Sequence, residues 1–257
     1  MTDYILQHRE NGVLTLTFNR VDKKNAILSS MYTALSDALE QAAQDEAIRV
    51  AVFQGAVDVF TAGNDLIDFL QNPPDADKGR DVPVFRFLEV LRTFPKPLIA
   101  AVCGPAVGVG TTMLLHCDLI YAGDNAAFSM PFVNLGACPE AGSSLLLQNL
   151  VGYHRAAEKL MLGEPFYAEE ALDMGLVNRI LPPHEVNGYA QAQAAKLAAK
   201  PASSLCITKA LMKQHQPTLS AVMLEEGRHF SELIRGPAAT EAMSAIMEKR
   251  RPDFSKC

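Results

Sequence analysis

The sequence lacks the patterns that mark several common classes of protein. Its five cysteines are odd in number and form no CxxC pair, which argues against a disulfide framework or a zinc cluster and favours a reducing compartment. No basic run is long enough for a nucleic-acid surface, and the net charge is −6. The apolar stretch at 97–110 is too short to cross a bilayer, and residues 1–11 lack the apolar core of a signal peptide. We therefore expect a cytoplasmic protein that binds neither nucleic acid nor membrane.

Several catalytic motifs are also missing. No GxSxG sequence is present, which leaves a serine-hydrolase mechanism without support. The glycines at 108–110 do not extend to GxGxxG, and there is no Walker A sequence for a nucleotide. No His, Asp and Glu cluster has the spacing of metal ligands. We therefore expect no bound metal.

The composition is that of an ordinary globular protein, with 49% hydrophobic and 20% charged residues in a chain of 257. Apolar strand patterns alternate with helical patterns up to about residue 190, which predicts an α/β architecture. We divide the chain into a core at 1–195 and a helical region at 196–257. Within the core, segment 70–82 is rich in Pro, Asp and Gly, which predicts an exposed, mobile loop. The predicted strands cover 13–18, 50–55, 97–102 and 119–122, and the predicted helices cover 25–43 (with Ser29 and Ser30 as cap candidates), 84–93, 187–199, 203–215, 218–234 and 238–248.

Two glycine-containing turns follow buried strands, at 60–66 and at 104–112. Small residues let a ligand approach the backbone closely, and the helical run after the second turn leaves free N–H groups at its start. If the turns converge, they form an oxyanion hole, which the enolate of a thioester requires. The alternative interpretation is that both are only tight turns.

The surrounding residues resemble those of the crotonase (enoyl-CoA hydratase/isomerase) family. The segment 60–66, FTAGNDL, resembles the family motif F-x-x-G-x-D-[LI], and the segment 96–110 resembles K-P-x-I-A-A-V-x-G-x-A-x-G-x-G. The segments 117–122 and 168–177 match two later family elements in the same order. The resemblance covers essentially the whole chain. It implies a crotonase-like spiral of ββα turns with a helical C-terminal subdomain, an acyl-CoA thioester substrate, and a homotrimer or hexamer assembled through that subdomain.

The resemblance also implies roles for individual residues. The backbone N–H groups of Asn64 and Val109 would form the oxyanion hole, and coenzyme A would be present only as part of the substrate. Lys24, with Lys23, lies where the family approaches the CoA nucleotide, and a solvated loop is the alternative for both. The other implied substrate-binding residues are Ala26, Ala62, Gly63, Asp65, Leu66, Gly108 and Phe132. Of these, Asp65 is expected to be mainly structural rather than a base.

Three positions bear on which reaction the chain catalyses. The family's hydratases use two glutamates to activate a water, and those positions hold Thr112 and Phe132 here. A different carboxylate, Glu140, lies in the sequence PEAGSS, which resembles the P-E-G-x-S-S context of the family's peroxisomal-type isomerases. One carboxylate suffices to move a proton from C2 to C4. Apolar neighbours would raise the pKa of Glu140 and a nearby helix N-terminus would lower it, and the sequence leaves that sum open.

The leading prediction is therefore a 3-enoyl-CoA to 2-enoyl-CoA isomerase with Glu140 as base. The first alternative is another enolate reaction on an acyl-CoA, such as hydration, hydrolysis or C–C cleavage. The second is a non-catalytic acyl-CoA-binding protein, in which Glu140 is only a first-turn helix residue. His116 is a further candidate base, but its apolar neighbours favour a buried core histidine.

Overall fold

A six-stranded sheet organises the fold in a computed structural model, which describes residues 4–214 and 218–257. The strand order is β1-β2-β3-β4-β6-β9, and every neighbouring pair is parallel except β1 and β2. Strands β5, β7 and β8 form a second, smaller sheet. The strands are β1 (Ile5–Glu10), β2 (Val13–Phe18), β3 (Val50–Gln54), β4 (Leu98–Val102), β5 (Pro105–Val107), β6 (Leu119–Gly123), β7 (Ala127–Ser129), β8 (Phe166–Tyr167) and β9 (Arg179–Leu181).

Helices cover the sheet and form the C-terminal part of the chain. Nearly all side chains of β3 and β4 are buried, because helices cover both faces of a largely parallel sheet. The α/β class and the helical C-terminal region predicted from the sequence are confirmed. The helices are α1 (Ser29–Gln44), α2 (Leu66–Gln71), α3 (Pro83–Thr93), α4 (Val109–Thr112), α5 (Ser143–Val151), α6 (Tyr153–Leu162), α7 (Ala168–Asp173), α8 (Pro183–Ala198), α9 (Ala202–Lys213), α10 (Leu219–Leu233) and α11 (Pro237–Met247).

Alternate residues of β3 and β4 face two separate cores, as the two-residue period of a strand requires. Val50 and Val52 lie on the side that α8 covers, in a cluster with Val186, Ala190 and Ala194. Their neighbours Ala51 and Phe53 face the larger cluster, to which α1 and α3 contribute. Continuous burial of the strands therefore reflects two helical layers.

The structure corrects two predicted boundaries. Helix α1 begins at Ser29 instead of residue 25, and Leu28, not a serine, is its N-cap. The residues before it are not helical: Asn25 has φ +55°, Ile27 pairs with Asn64 in the first glycine turn, and Leu28 is extended. The prediction of a loop at 70–82 was wrong in part: α2 ends at Gln71 and a 3₁₀ helix spans Ala76–Asp81. The predicted end of the helix at 203–215 lies outside the described residues.

Candidate active site

Three backbone hydrogen bonds join the first glycine turn to the segment 24–27. Ala62 N donates to Lys24 O at 2.9 Å, and Ile27 N donates to Gly63 O at 2.8 Å. Asp65 N donates to Ile27 O at 2.9 Å. Within residues 4–214 and 218–257, the N–H of Asn64 donates no hydrogen bond. The turn is therefore rigid and presents one free donor.

The carboxylate of Asp65 also stabilises this turn. It accepts hydrogen bonds from the N–H groups of Ile67 and Asp68, so it caps α2, and it pairs with Arg20 at 2.7 Å. Burial tends to raise the pKa of Asp65, but these hydrogen bonds outweigh it and lower the pKa. The carboxylate thus has structural partners for both of its oxygens, in line with the structural role expected for it.

The second glycine turn lies directly against the first. Val107 N donates to Thr61 O at 3.0 Å, and a Cβ added to Gly63 would lie 2.6 Å from Val107 O. Gly63 has φ +83°, so glycine is required there both for conformation and for space. Gly108 follows with φ +56° and precedes α4. In the described part of the chain, Val109 N likewise donates no hydrogen bond.

Asn64 and Val109, the residues that carry these two N–H groups, line one cavity of about 600 Å³. Its wall is mostly apolar and includes α10, α11 and the C-terminal segment. Phe132 is buried there, with its ring 6.4 Å from that of Phe230. Of the residues singled out in the sequence, this cavity brings together Ala62, Gly63, Asn64, Leu66, Gly108, Val109 and Phe132.

The structure places the remaining predicted residues elsewhere. Lys24 has an exposed side chain behind the first turn, and Ala26 O accepts a hydrogen bond from Arg20 at 2.9 Å. Glu140 borders a second cavity of about 580 Å³, with Phe85, Leu88 and Met223 among its other lining residues. The predicted base and the predicted oxyanion hole therefore do not line the same cavity.

Glu140 is nevertheless linked to the second turn through α4. The residue is 7% exposed, and its carboxylate accepts a short hydrogen bond from the hydroxyl of Thr112, three residues after Val109. Burial raises the pKa of Glu140 to about 8, although the Thr112 hydroxyl lowers it. Among the residues that the structure describes, no cation pairs with this carboxylate, so burial outweighs the Thr112 hydrogen bond and favours the protonated form at neutral pH.

The helix N-terminus near Glu140 is occupied by another carboxylate, Glu226 of α10. Glu226 accepts hydrogen bonds from Gly142 N at 2.5 Å and from Ser144 N at 3.0 Å, and so caps α5. The capping role considered for the Glu140 side chain therefore belongs to Glu226. Sequence analysis missed this residue, since it lies more than 80 positions from the helix that it caps and has no local signature.

Tyr32 is a second residue that the sequence did not reveal. Its hydroxyl donates to Asn64 Oδ1 at 2.5 Å, and its ring is 5.4 Å from that of Phe87. Burial, together with the charges of Glu140 and Asp68, keeps the pKa of Tyr32 well above its usual value. The helical pattern of α1 marks Tyr32 only as a core residue.

His116 is a core residue, as predicted. It is buried, and its Nε2 lies 2.7 Å from Ala141 O. Burial lowers the pKa of His116 to about 4, so the ring is neutral near pH 7. Since its hydrogen bond is made with the backbone, His116 supports the loop that carries Glu140.

The raised pKa of Glu140 links the stability of the fold to pH. The folded protein retains a proton that the unfolded chain releases near pH 4.5, so the contribution of Glu140 to stability is highest below pH 4.5 and falls as the pH rises through about 8. Glu140→Gln removes this titration. We expect its Tm to exceed that of the parent above pH 8 and the difference to vanish near pH 4. The gain is at most about 5 kcal/mol at 1.36 kcal/mol per pKa unit.

Thermal unfolding followed by circular dichroism between pH 4 and 9 measures this difference. Glu241→Gln is a suitable control, because Arg250 lowers the pKa of this exposed carboxyl and the pH dependence has the opposite sign. Equal Tm values for Glu140→Gln and the parent at every pH would contradict the prediction.

Comparison with known proteins identifies the family to which this site belongs. The family model for enoyl-CoA hydratase/isomerase matches residues 8–256. The structure of Pseudomonas aeruginosa OdaA superposes with a TM-score of 0.92 and 47% identity, covering 96% of this chain and 99% of that one. The chain therefore belongs to the enoyl-CoA hydratase/isomerase family and is an enzyme of that family. The crotonase fold implied by the resemblance is confirmed.

The similar proteins are named for different enzymatic activities. Enoyl-CoA delta isomerase 2 of Rattus norvegicus is 38% identical over 227 residues, which cover 86% of this chain and 58% of the relative. The 1,2-epoxyphenylacetyl-CoA isomerase of Escherichia coli K12 is 34% identical over 99% of both chains. The 2,3-dehydroadipyl-CoA hydratase of the same organism is 35% identical over 97% of this chain and 98% of its own length. These names leave the particular reaction open.

Metal centres and membrane spans are two further kinds of feature for which the described residues can be checked. Across residues 4–214 and 218–257, no group of three or more His, Cys, Asp or Glu side chains is placed to hold a metal ion. Within the same ranges, no helix has both the length and the apolar character to span a membrane.

Proposed function

We propose that this enzyme converts 3-enoyl-CoA to 2-enoyl-CoA, with Glu140 as the only base. The proposal is carried by the environment of the Glu140 carboxyl, which is buried and pairs with no cation in the described chain. Burial raises its pKa to about 8, and it accepts a hydrogen bond from Thr112 in the short helix that begins at Val109. A shuttling base works best when its pKa is near the operating pH and water is excluded.

The proposed reaction needs two N–H donors and one carboxylate. Asn64 N–H and Val109 N–H donate to the thioester oxygen, which stabilises the enolate. Glu140 removes a proton from C2, and the electron pair of that C–H bond forms a C1–C2 double bond as the thioester carbonyl becomes the enolate. When the carbonyl re-forms, that pair becomes the C2–C3 double bond, and the former π pair of C3–C4 forms a C–H bond at C4. The proton held by Glu140 is the one delivered there. No atom is gained or lost.

Hydration lacks its usual groups at this site. The two positions occupied by glutamates in the family's hydratases hold Thr112 and Phe132, and both are buried. A threonine hydroxyl is not a base near neutral pH, and a phenylalanine exchanges no proton. The Phe132 ring also makes the cavity drier, which favours proton return to carbon over attack by water.

In this mechanism the acyl-CoA must reach both the two N–H donors and Glu140. The thioester occupies the 600 Å³ cavity beside the Ala62–Leu66 turn, with Lys24 and Ala26 on the side of the CoA nucleotide. The acyl chain runs past α4, so that C2 and C4 come within reach of Glu140. The apolar second cavity beyond Glu140 then accommodates the tail.

A direct assay tests this function. Purified protein is incubated with trans-3-hexenoyl-CoA, and formation of the conjugated 2-enoyl thioester is followed in the ultraviolet, with the product mass measured in parallel. We expect conjugation without a change in mass. A product heavier by one water would establish hydration instead, and the absence of any reaction while acyl-CoA still binds would overturn the proposal.

A second candidate is isomerisation of an aromatic acyl-CoA. The relative named 1,2-epoxyphenylacetyl-CoA isomerase matches this chain over 99% of both lengths, whereas only 58% of the rat delta isomerase is covered. Phe132 and Phe230 in the cavity wall are suited to contact an aromatic ring. Comparing kcat/KM for 3-hexenoyl-CoA and 1,2-epoxyphenylacetyl-CoA distinguishes the two candidates.

A further inference from the structure

Thr112 makes one side-chain contact that the family resemblance does not explain. This residue is fully buried at the end of α4. Its hydroxyl donates to Glu140 Oε1 rather than to a backbone carbonyl of its own helix. By contrast, the hydroxyl of the preceding residue bonds to backbone groups of the small sheet: Thr111 donates to Ala106 O at 2.5 Å and accepts from Ser129 N at 3.2 Å.

The contact joins the two halves of the proposed site. Val109 and Thr112 are three residues apart on one helix, so they lie on nearly the same face. The carboxylate of Glu140 is therefore anchored to the element that supplies one of the two proposed oxyanion donors. Oε1 is engaged with Thr112, whereas Oε2 has no partner among the residues described by the structure, which leaves it available to accept a proton.

We propose that Thr112 is a positioning residue for Glu140, holding Oε1 so that Oε2 is the oxygen that takes up and returns the proton. This inference rests on the proposed function of Glu140 as base. It gives a new role to a position where the family's hydratases carry a glutamate. The same hydrogen bond favours the ionised form of the carboxyl, so it affects both the geometry and the acidity of the base.

The groups that face Glu140 come from several elements. Tyr32 on α1 and Glu226 on α10 both interact with its charge, and Cys138 precedes it in the same loop. Arg80 and Glu89 border the same cavity. All five remain in place when only the Thr112 hydroxyl is removed, so a change in the titration of Glu140 reports on that hydroxyl.

Thr112→Val removes the hydroxyl and keeps the shape of the side chain. We expect the midpoint of the kcat–pH profile to rise by about one unit, because a hydrogen bond to the charged form has been lost. With a starting midpoint near 8, kcat at pH 7 then falls about tenfold, and the plateau at high pH falls as well because the carboxylate is no longer held. KM should change less than about twofold, since Thr112 lines neither cavity.

Two further variants separate positioning from packing. Thr112→Ser keeps a hydroxyl but loses a methyl group, and we expect it to retain the parental midpoint. Thr111→Val loses hydroxyl contacts in the same helix without touching Glu140, and its midpoint should also equal that of the parent. If Thr112→Val kept the parental midpoint and kcat, or if Thr111→Val shifted the midpoint equally, the inference would be overturned.

A measurement that does not require turnover distinguishes this inference from the proposed function. The carboxylate band of Glu140 is titrated by infrared difference spectroscopy, with Glu140→Gln as the blank. A higher midpoint in Thr112→Val supports the contact even if the parent does not isomerise 3-hexenoyl-CoA, in which case only the proposed function fails. An unchanged infrared midpoint overturns the role of Thr112 whatever the activity.

Discussion

Glu140→Gln is expected to lower kcat for 3-hexenoyl-CoA by about 10⁴-fold, the upper end of what a positioned base contributes. A glutamine can still accept the hydrogen bond from Thr112, but it cannot hold the transferred proton. No carboxylate borders the cavity of Asn64 and Val109 in the described chain, so no other base is placed there to take over. The conjugation assay at pH 8 measures the loss.

Binding provides the control for this substitution. The proposed oxyanion donors and the 600 Å³ cavity are untouched, so the Kd of hexanoyl-CoA should change less than about threefold, which calorimetry can measure. Glu226→Gln is the matched variant, because it removes a neighbouring buried carboxylate that caps α5 and makes no contact with Thr112. Parental activity in Glu140→Gln would exclude the one-base mechanism.

The pH dependence of kcat follows from the same residue. The base must be ionised to act, and burial raises the pKa of Glu140 to about 8, so activity should rise with pH through that value. Stability changes in the opposite direction, because ionising a buried carboxyl destabilises the folded state. A property that favours proton shuttling near neutral pH therefore lowers the stability of the fold.

The main elements of the fold could be predicted from local sequence patterns. The strand at Val13–Phe18 alternates apolar and polar residues, and β4 is an unbroken apolar run, so each carries its own signal. The start of α1 was misplaced because helical spacing continues back to residue 25, whereas pairing of Ile27 with Asn64 keeps Ile27 out of the helix. A contact between residues 37 positions apart outweighs a local preference there.

The residues of the candidate site could be named from the sequence, but their arrangement could not. The family resemblance indicated Asn64, Val109 and Glu140, yet it could not reveal that Glu140 borders a separate cavity. The pKa of Glu140 was left open because a helix N-terminus lies close to it. Glu226, from a distant helix, accepts the hydrogen bonds of that N-terminus, so burial determines the pKa.

Gly63→Ala is expected to lower kcat by about 10² to 10³-fold, the cost of losing one oxyanion donor. The new Cβ would lie 2.6 Å from Val107 O, a backbone atom that cannot rotate away. The two glycine turns must then move apart, which separates Asn64 N–H from Val109 N–H. Glu140 is not touched, so the midpoint of the kcat–pH profile should stay at its parental value while the plateau falls.

The matched control is Gly175→Ala, which introduces similar backbone strain but no steric clash like that between the Gly63→Ala Cβ and Val107 O. Gly175 has φ +77°, close to the +83° of Gly63, but its nearest neighbour to an added Cβ is Leu150 Cδ1 at 3.9 Å, an ordinary contact. Both variants carry the strain of a left-handed alanine, roughly 1–2 kcal/mol, so both should lose a similar amount of Tm from that source. Only Gly63→Ala should also weaken polarisation of the thioester, seen as a smaller shift of the ¹³C=O stretch of bound hexanoyl-CoA. A parental shift and parental kcat in that variant would mean that the two turns do not form the oxyanion hole.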